Sequence, residues 1–172
     1  MEQWFKETIL KLKLCPFAQK PWDEGRIKLL DSPAESLFEA QQNFLDELDI
    51  LHSTPLSILS TTLIGFPDWA ISFDDFLDFT QSMEELLEEA DASEHFQLVC
   101  FHPDFQISGE PPESMAHWPN SSPYPVLHIL RAIEVAQVRK PDLGIEISRA
   151  NEKMLASLSE TEKRQHYPWK FL

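Results

Sequence analysis

The sequence predicts an α/β or α+β fold: a small sheet of three to four strands, at least partly parallel, packed with helices in a single domain. Three short apolar segments, 26–30, 56–64 and 96–102, resemble strands and are separated by segments with helical periodicity. Because parallel neighbours need crossover connections, this alternation favours a partly parallel sheet. A chain of 172 residues, 42% of them hydrophobic, can bury one core without disulfides or a structural metal.

The first elements follow from local signals. Apolar residues at helical spacing predict a helix over 2–14, which ends at Cys15 because the residue before a proline avoids helical dihedrals. The first strand, 26–30, follows a turn. Ser32 as N-cap, with proline at the first helical position, predicts a helix that continues to about Leu48. Its expected buried residues are Leu37, Phe38, Phe44, Leu45 and Leu48.

The second half of the chain is predicted to be mostly helical around the third strand. The strongest periodicity predicts a helix over 72–90. The segment 103–119 has no periodicity and is expected to be a long loop. Such a loop in a compact domain is usually functional or disordered, and we favour a functional role here. Ser122 as N-cap, again with a following proline, predicts a helix over 123–138, and another is predicted over 142–158.

We expect one α/β domain over 1–158 and a C-terminal tail over 159–172. The tail ends in QHYPWKFL, which has too many aromatic residues for a segment free in solvent, so it is expected to pack on the domain. The charged start of the chain does not resemble a signal peptide, and no apolar run has the length of a membrane span. Two cysteines form no disulfide framework, which favours the cytoplasm.

The charge distribution restricts the partners. All 14 Lys and Arg residues lie within 6–28 or 131–170, whereas the segment 29–130 holds 19 Asp and Glu residues and no base. We expect the basic ends to cover part of this acidic segment. Nucleic acids and anionic membranes are poor partners because phosphate binding needs clustered bases. A basic protein that docks on the acidic helix face around 74–91 is a possible partner.

The first chemical candidate is Cys15, in the sequence LCPFA. A lone cysteine is more often a small buried residue than a nucleophile. If Cys15 closes the preceding helix, the negative end of the helix dipole disfavours its thiolate. If Pro16 opens a new helical turn, Cys15 is an N-cap and its thiolate is favoured. In the second case the thiol would react with iodoacetamide faster than that of Cys100.

The second candidate is the sequence CFHPD at the end of the third strand. Strand alternation puts Cys100 and His102 on one face. His102 is either a base at the end of the strand or a residue that binds loop carbonyls. Asp104 could orient its imidazole or form a turn.

The third candidate is NSSPYPVLHILR, from Asn120 to Arg131. On the predicted helix, Tyr124, His128 and Arg131 are spaced i, i+4 and i+7 and share one face. Arg131 either pairs with an acid of the 74–91 helix or holds an anion with its guanidinium fork.

These candidates lead to one hypothetical pocket at the carboxyl ends of the strands, where ligands collect in open sheets. Cys15 would be a nucleophile or redox thiol with an imidazole as base, acting on a small anionic substrate. The candidate catalytic residues are Cys15, His102 and His128, and the candidate substrate-binding residues are Asp104, Asn120, Ser122, Tyr124 and Arg131. The cofactor is unknown.

The motifs CPFA, FHPDF and NSSPYPVLHILR resemble a bacterial family known as domain of unknown function 1415, over Trp4 to about Leu155. The resemblance implies no activity. It implies that the following residues match signature positions: Cys15, Pro16, Phe17, His102, Pro103, Asn120, Ser122, Pro123, Tyr124, Pro125, His128 and Arg131. Ser121 stands where the family usually has Arg, His117 where Asn is common and Ala132 where Glu often follows, so a doubly clamped anion site is weakened.

Whether the protein is an enzyme is left open by the sequence. The same pocket could hold a small ligand or peptide without turnover. A third alternative is a metal site of Cys15, His102 and His128 with an open position, although no local CxxC or HxxxH spacing supports it. In a purely structural alternative, the Tyr, His and Arg side chains form a polar network that holds the long loop.

Overall fold

The computed structural model describes residues 1–138 and 142–172, which form a mixed α/β fold around a four-stranded sheet. The strands are β1 (Ile27–Asp31), β2 (Thr61–Gly65), β3 (Phe96–Phe101) and β4 (Val126–Arg131). Their order across the sheet is β1-β2-β4-β3. β1 and β2 are parallel, while β4 is antiparallel to both β2 and β3. The predicted fold class, a partly parallel small sheet with helices, is confirmed.

Helices cover both faces of this sheet. The helices are α1 (Glu2–Trp4), continued by a π-helix (Phe5–Leu10), α2 (Gln19–Asp23), α3 (Leu37–Ser53), α4 (Phe73–Glu89), α5 (Ala132–Val138), α6 (Leu143–Ala156) and α7 (Glu160–His166). Two 3₁₀ helices span Met115–Asn120 and Pro168–Phe171. α3 is the crossover that parallel pairing of β1 and β2 requires.

Strand alternation divides the apolar residues between two cores. On one face, α3 and α4 pack on side chains such as Leu127 and Ile129 of β4. On the other face, the N-terminal helix, α6 and the C-terminal tail pack on residues such as Leu63 and Val126. We call these the α3/α4 core and the terminal core. β2 is therefore buried on both faces and β4 is buried or partly buried, so most of their polar side chains need partners inside the protein.

The helix predicted over 72–90 is confirmed as α4, and its N-cap Ser72 accepts a hydrogen bond from the Asp75 N–H at 3.1 Å. The start of α3 was misjudged. Its N-cap is Ser36, whereas the Ser32 hydroxyl accepts from Ala34 N–H and organises the preceding turn. Leu37 and Phe38 are the first two residues of α3. Both are exposed, with 55% and 70% of their surface accessible, rather than buried.

The largest correction concerns the helix predicted over 123–138. Its first half is the strand β4, and only Ala132–Val138 is helical. Two prolines, Pro123 and Pro125, hold the entry to this segment extended. The apolar run VLHILR is too short to distinguish a buried strand from a buried helix by periodicity alone. Pairing on both edges, with β2 and β3, decides for the strand.

The C-terminal tail contacts the domain directly. Tyr167 is fully buried in the terminal core, and its ring centroid lies 4.8 Å from that of Trp118. Trp169 Nε1 donates to Ser121 Oγ at 2.8 Å, and Thr8 donates to the carbonyl of His166 at 2.9 Å. The tail thus completes the terminal core.

The ends of the chain neutralise only part of the acidic segment. Lys28 Nζ lies 2.6 Å from Glu47 Oε1, and the amino group of Met1 lies 3.1 Å from Asp31 Oδ2. In the described ranges, 1–138 and 142–172, no base lies within 4 Å of a carboxylate of α4. The α4 surface is therefore left strongly negative.

Gly65 at the end of β2 allows a close approach that any Cβ would block. A Cβ there would lie 2.6 Å from Tyr124 Cε2 and 2.6 Å from Met1 Cε. We expect Gly65→Ala to lower the free energy of unfolding by about 1–3 kcal/mol, because the Tyr124 ring must shift. Urea denaturation measures this. The matched control is Gly144→Ala in α6, where nothing lies within 4 Å and the change should stay within about 1 kcal/mol. Equal effects of the two substitutions would contradict the packing argument.

Candidate functional site

The structure separates the predicted site residues. Because 126–131 is a strand, His128 and Arg131 point to opposite faces of the sheet instead of sharing a helix face. His102 follows β3 at the end where Phe101 pairs with Val126, whereas Arg131 pairs with Phe96 at the other end. Five residues of strand, about 16 Å, separate these two ends.

His128 lies on the face of the terminal core, 6.3 Å from Phe101 between ring centroids. Its Nε2 is 2.6 Å from Thr61 Oγ1. The Thr61 hydroxyl donates to the Ile129 carbonyl at 2.6 Å, so His128 Nε2–H is the donor to Thr61. Burial lowers the pKa of His128 to about 3. His128 is therefore a neutral residue in a local hydrogen-bond chain, at the pH values where a general base would work.

Arg131 stabilises the C-terminal end of α3. Its guanidinium donates to the carbonyls of Leu51 and Thr54, and its Nε donates to the carbonyl of Leu59 at 3.3 Å. A cation at this end is favourable because the last carbonyls of a helix are unpaired and carry the negative end of its dipole. Arg131 therefore has no carboxylate of the 74–91 helix within 4 Å, and its alternative role as an anion fork remains a prediction.

His102 packs in the α3/α4 core, with ring centroids 5.6 Å from Phe73 and 5.9 Å from Phe76. Its Nδ1 accepts from the Asp104 N–H at 3.1 Å, which leaves the proton on Nε2, and Nε2 donates to the Ile71 carbonyl at 3.1 Å. Burial lowers the pKa of His102, partly offset by these neighbours. His102 holds loop carbonyls and amides, and the backbone of Asp104, rather than its carboxylate, orients the ring.

Cys15 precedes a single turn, as in the second of its two sequence alternatives, but the N-cap of the helix α2 that follows is Ala18. The Cys15 carbonyl accepts from the Ala18 N–H at 3.2 Å, and α2 begins directly afterwards. The N–H groups of Phe17 and Ala18 favour the thiolate, but burial against the terminal core has the larger effect and raises the pKa of Cys15. Burial also raises the pKa of Cys100. Neither environment activates a thiol.

The remaining predicted binding residues also have internal partners. Tyr124 OH donates to Asp31 Oδ1 at 2.6 Å, beside Gly65 at the carboxyl ends of β1 and β2. Ser122 is fully buried and donates to the Tyr124 carbonyl at 2.6 Å, so it is not a helix N-cap. Asn120 Nδ2 donates to the Cys100 carbonyl at 3.2 Å. These contacts close the turn into β4.

The predicted single pocket therefore does not form. His102 and His128 lie in different cores, and both rings are engaged by protein groups. The alternative metal site of Cys15, His102 and His128 is wrong for the same reason. Within residues 1–138 and 142–172 no group of three or more His, Cys, Asp or Glu side chains has a geometry that could hold a metal ion.

One predicted residue, Asp104, does line a pocket. This pocket, the loop pocket, has a volume of about 340 Å³ and lies between the segment 104–118 and the C-terminal tail. Its lining residues are Asp104, Phe105, Gln106, Pro112, Glu113, His117, Trp118 and Lys170. His117 fixes its wall: Nδ1 accepts from the Ile107 N–H at 3.1 Å, and Nε2 donates to the Pro111 carbonyl at 2.8 Å.

Lys170 is the cation of the loop pocket. It is partly buried, and no described residue accepts a hydrogen bond from its ammonium or places a carboxylate within 4 Å. Burial lowers the pKa of Lys170, and the nearby Asp104 charge only partly offsets this effect. The pocket thus combines an under-solvated cation, two exposed acids at its rim (Asp104 and Glu113) and the aromatic surface of Trp118.

Comparison with known proteins matches residues 1–165 to the family model described as "Protein of unknown function (DUF1415)". The chain belongs to the DUF1415 family. No curated protein and no solved structure matches it. The match confirms the resemblance inferred from the motifs. Across the described part of this DUF1415 protein, no helix is both long and apolar enough to cross a membrane.

Sequence reasoning missed Lys170 and Trp118. Two sequence features pointed to this region. One was the aromatic tail QHYPWKFL, which was expected to pack on the domain, and the other was the long loop, for which a functional role was expected. The tail and the loop meet at Trp118, which contacts both Tyr167 and Phe171. Which residues of the two segments face each other depends on tertiary packing and leaves no local sequence pattern.

We expect the Cys15 thiol to react slowly in the folded protein. Because burial raises its pKa, its thiolate fraction near neutral pH falls below that of a free cysteine. In a Cys100→Ser variant, iodoacetamide labelling at pH 7.5 should be about tenfold slower than in urea. Labelling at the same rate in both conditions would contradict the suppression of the thiolate by burial.

We expect His128 to remain neutral in the folded state down to about pH 3. An unfolded histidine has a pKa of about 6.5, so between these values the unfolded state binds more protons. The contribution of His128 to stability is complete above about pH 6.5 and is lost progressively as the pH falls towards 3. NMR titration of its ring protons between pH 5 and 8 measures this directly. A midpoint within that window contradicts the burial argument.

Proposed function

We propose that this protein binds a small molecule that carries a carboxylate or a comparable anionic group, in the loop pocket, without catalysis. The observation that carries the proposal is the partly buried Lys170 ammonium, which no ion pair within 4 Å satisfies in residues 1–138 and 142–172. Burial removes part of the hydration of the ammonium, and an anion bound at this position would replace it with an ion pair. A volume of about 340 Å³ suits a small ligand.

The surrounding side chains narrow the ligand class. Asp104 and Glu113 would repel a dianion such as a phosphate ester, and they would accept hydrogen bonds from an amine or hydroxyl. Phe105 and Trp118 supply an aromatic wall. The best match is a monoanion with a donor group and an apolar body. A ligand-binding role is favoured over an enzyme because His102, His128 and Cys15 are committed to internal contacts.

We also infer a cytoplasmic setting for this binding. Cys15 and Cys100 are both free thiols, and the buried Cys100 is surrounded by core residues such as Leu127 and Ile129. Reduced cysteines in a domain that does not use them as crosslinks are typical of the cytoplasm. A soluble pool of small carboxylates would be directly available to the loop pocket there.

The test is a thermal-shift screen of small carboxylates against the wild type and two Lys170 variants. Lys170→Met removes the charge and keeps the length, so we expect affinity for any hit to fall about tenfold or more. Lys170→Arg keeps the charge and should retain binding. Lys153→Met, on the exposed face of α6, is the matched control for the loss of one positive charge.

Two outcomes contradict the proposal. In the first, no carboxylate raises the melting temperature of the wild type. A ligand at a concentration a hundredfold above its Kd would add about 2.7 kcal/mol to the free energy of unfolding. In the second, Lys170→Met binds a hit as tightly as the Lys153→Met control. The folded state of each variant is checked first by its unligated melting curve.

A further inference from the structure

The outer edge of β3 offers a second binding surface, independent of the loop pocket. β3 is a terminal strand of the sheet and pairs only with β4. The Ala132 N–H donates to the His95 carbonyl at 2.8 Å, which makes the odd-numbered residues of this segment the ones hydrogen-bonded to β4. The backbone groups of Phe96, Leu98 and Cys100 therefore point away from the sheet.

Part of this outer edge is closed by the protein itself. At its C-terminal end, the His102 N–H donates to the Asn120 carbonyl, and the Asn120 amide donates to the Cys100 carbonyl. At its N-terminal end, the Phe96 N–H donates to the Ala92 carbonyl at 3.0 Å. Between these closures, no described residue pairs with the Phe96 carbonyl, either backbone group of Leu98 or the Cys100 N–H.

A groove runs along this open stretch, between β3 and α4. It has a volume of about 320 Å³. Its lining residues are Glu84, Leu87, Glu88, Ser93, Phe96, Gln97 and Leu98. Leu87, Phe96 and Leu98 form an apolar floor, and Glu84 and Glu88 form an acidic rim. A chain added beside β3 would project alternate side chains towards this floor and rim.

The charge of the groove selects the partner. Glu84 and Glu88 are one helical turn apart, and burial together with the Glu88 charge raises the pKa of Glu84. No Lys or Arg occurs between residues 29 and 130, so the rim lacks a cation from its own segment. Two carboxylates one helical turn apart repel each other, which favours a cationic side chain between them. A second copy of this chain, with a net charge of −15, would instead be repelled.

We propose that the open edge of β3 binds an extended, lysine- or arginine-rich segment of another protein, which joins the sheet as a fifth strand. The Leu98 N–H and carbonyl would pair with the backbone of the added strand. Its side chains that face α4 would be basic and contact Glu84 and Glu88, while its alternate, apolar side chains would lie on the opposite face of the sheet. Backbone pairing supplies affinity in this mode, while the alternating side chains supply specificity.

The experiment uses fluorescence polarisation with a labelled peptide of about nine residues in which Lys alternates with Val. We expect binding to the full chain that weakens as salt increases. A peptide with Glu in place of Lys should not bind. A Lys/Val peptide with alternate N-methylated amides keeps its charge but loses backbone donors, and its affinity should fall about tenfold or more.

Variants of the protein locate the site. The double substitution Glu84→Gln and Glu88→Gln should weaken binding about two- to 25-fold, since each exposed ion pair contributes a factor of about 1.4 to 5. The matched control is Asp46→Asn with Asp49→Asn, which removes two exposed charges from α3. Lys170→Met should leave peptide binding unchanged, so failure of the loop-pocket proposal and failure of this one are distinguishable.

Three results would overturn the proposal. The first is equal binding of the N-methylated and unmodified peptides, which indicates charge attraction without strand addition. The second is an equal loss of affinity in the α3 control and the α4 variant, which indicates a diffuse field instead of this groove. The third is concentration-dependent dimerisation of the protein in size-exclusion chromatography that the unmodified Lys/Val peptide abolishes. This result identifies a second copy of the chain as the occupant of the edge.

Discussion

The pairing of β4 with both β2 and β3 is the constraint on which the rest of the structure depends. β4 is the last strand in the chain, yet it lies inside the sheet, and its antiparallel ladders join the parallel β1–β2 pair to β3. Both of its edges are hydrogen-bonded, and its side chains enter both cores. A polar side chain in such a strand has little access to bulk water and is stabilised by a partner within the protein.

That requirement explains the roles of His128 and Arg131. His128 donates a hydrogen bond to Thr61 on the neighbouring strand, and Arg131 donates to the free carbonyls at the end of α3. These residues are the polar connections that join the central strand to its surroundings. Their chemistry resembles that of an active site because buried polar networks and catalytic groups share the same residue types.

Two groups without a partner among the described residues lie at the margins of the fold. The Lys170 ammonium lies where the C-terminal tail meets the long loop, and the backbone of Leu98 lies on an unpaired strand edge. The first group lines the loop pocket, and the second lies on the outer edge of β3, which has no neighbouring strand in the described part of the chain. Because the acidic segment 29–130 contains no base, positive charge reaches such places only from the chain ends or from a partner. The surfaces formed by this segment are therefore acidic wherever a chain end does not cover them.

The sequence by itself determined the fold class, the helix α4 with its Ser72 cap and the strands β1 and β3, because local periodicity and capping residues specify these elements. It did not determine that VLHILR is a strand, since a six-residue apolar run fits a buried helix or a buried strand until its neighbours are known. Because this segment is a strand and not a helix, Tyr124, His128 and Arg131 do not share one helix face. Only the tertiary structure decided which polar groups are already satisfied, because hydrogen-bond partners such as Thr61 for His128 lie far away in the chain.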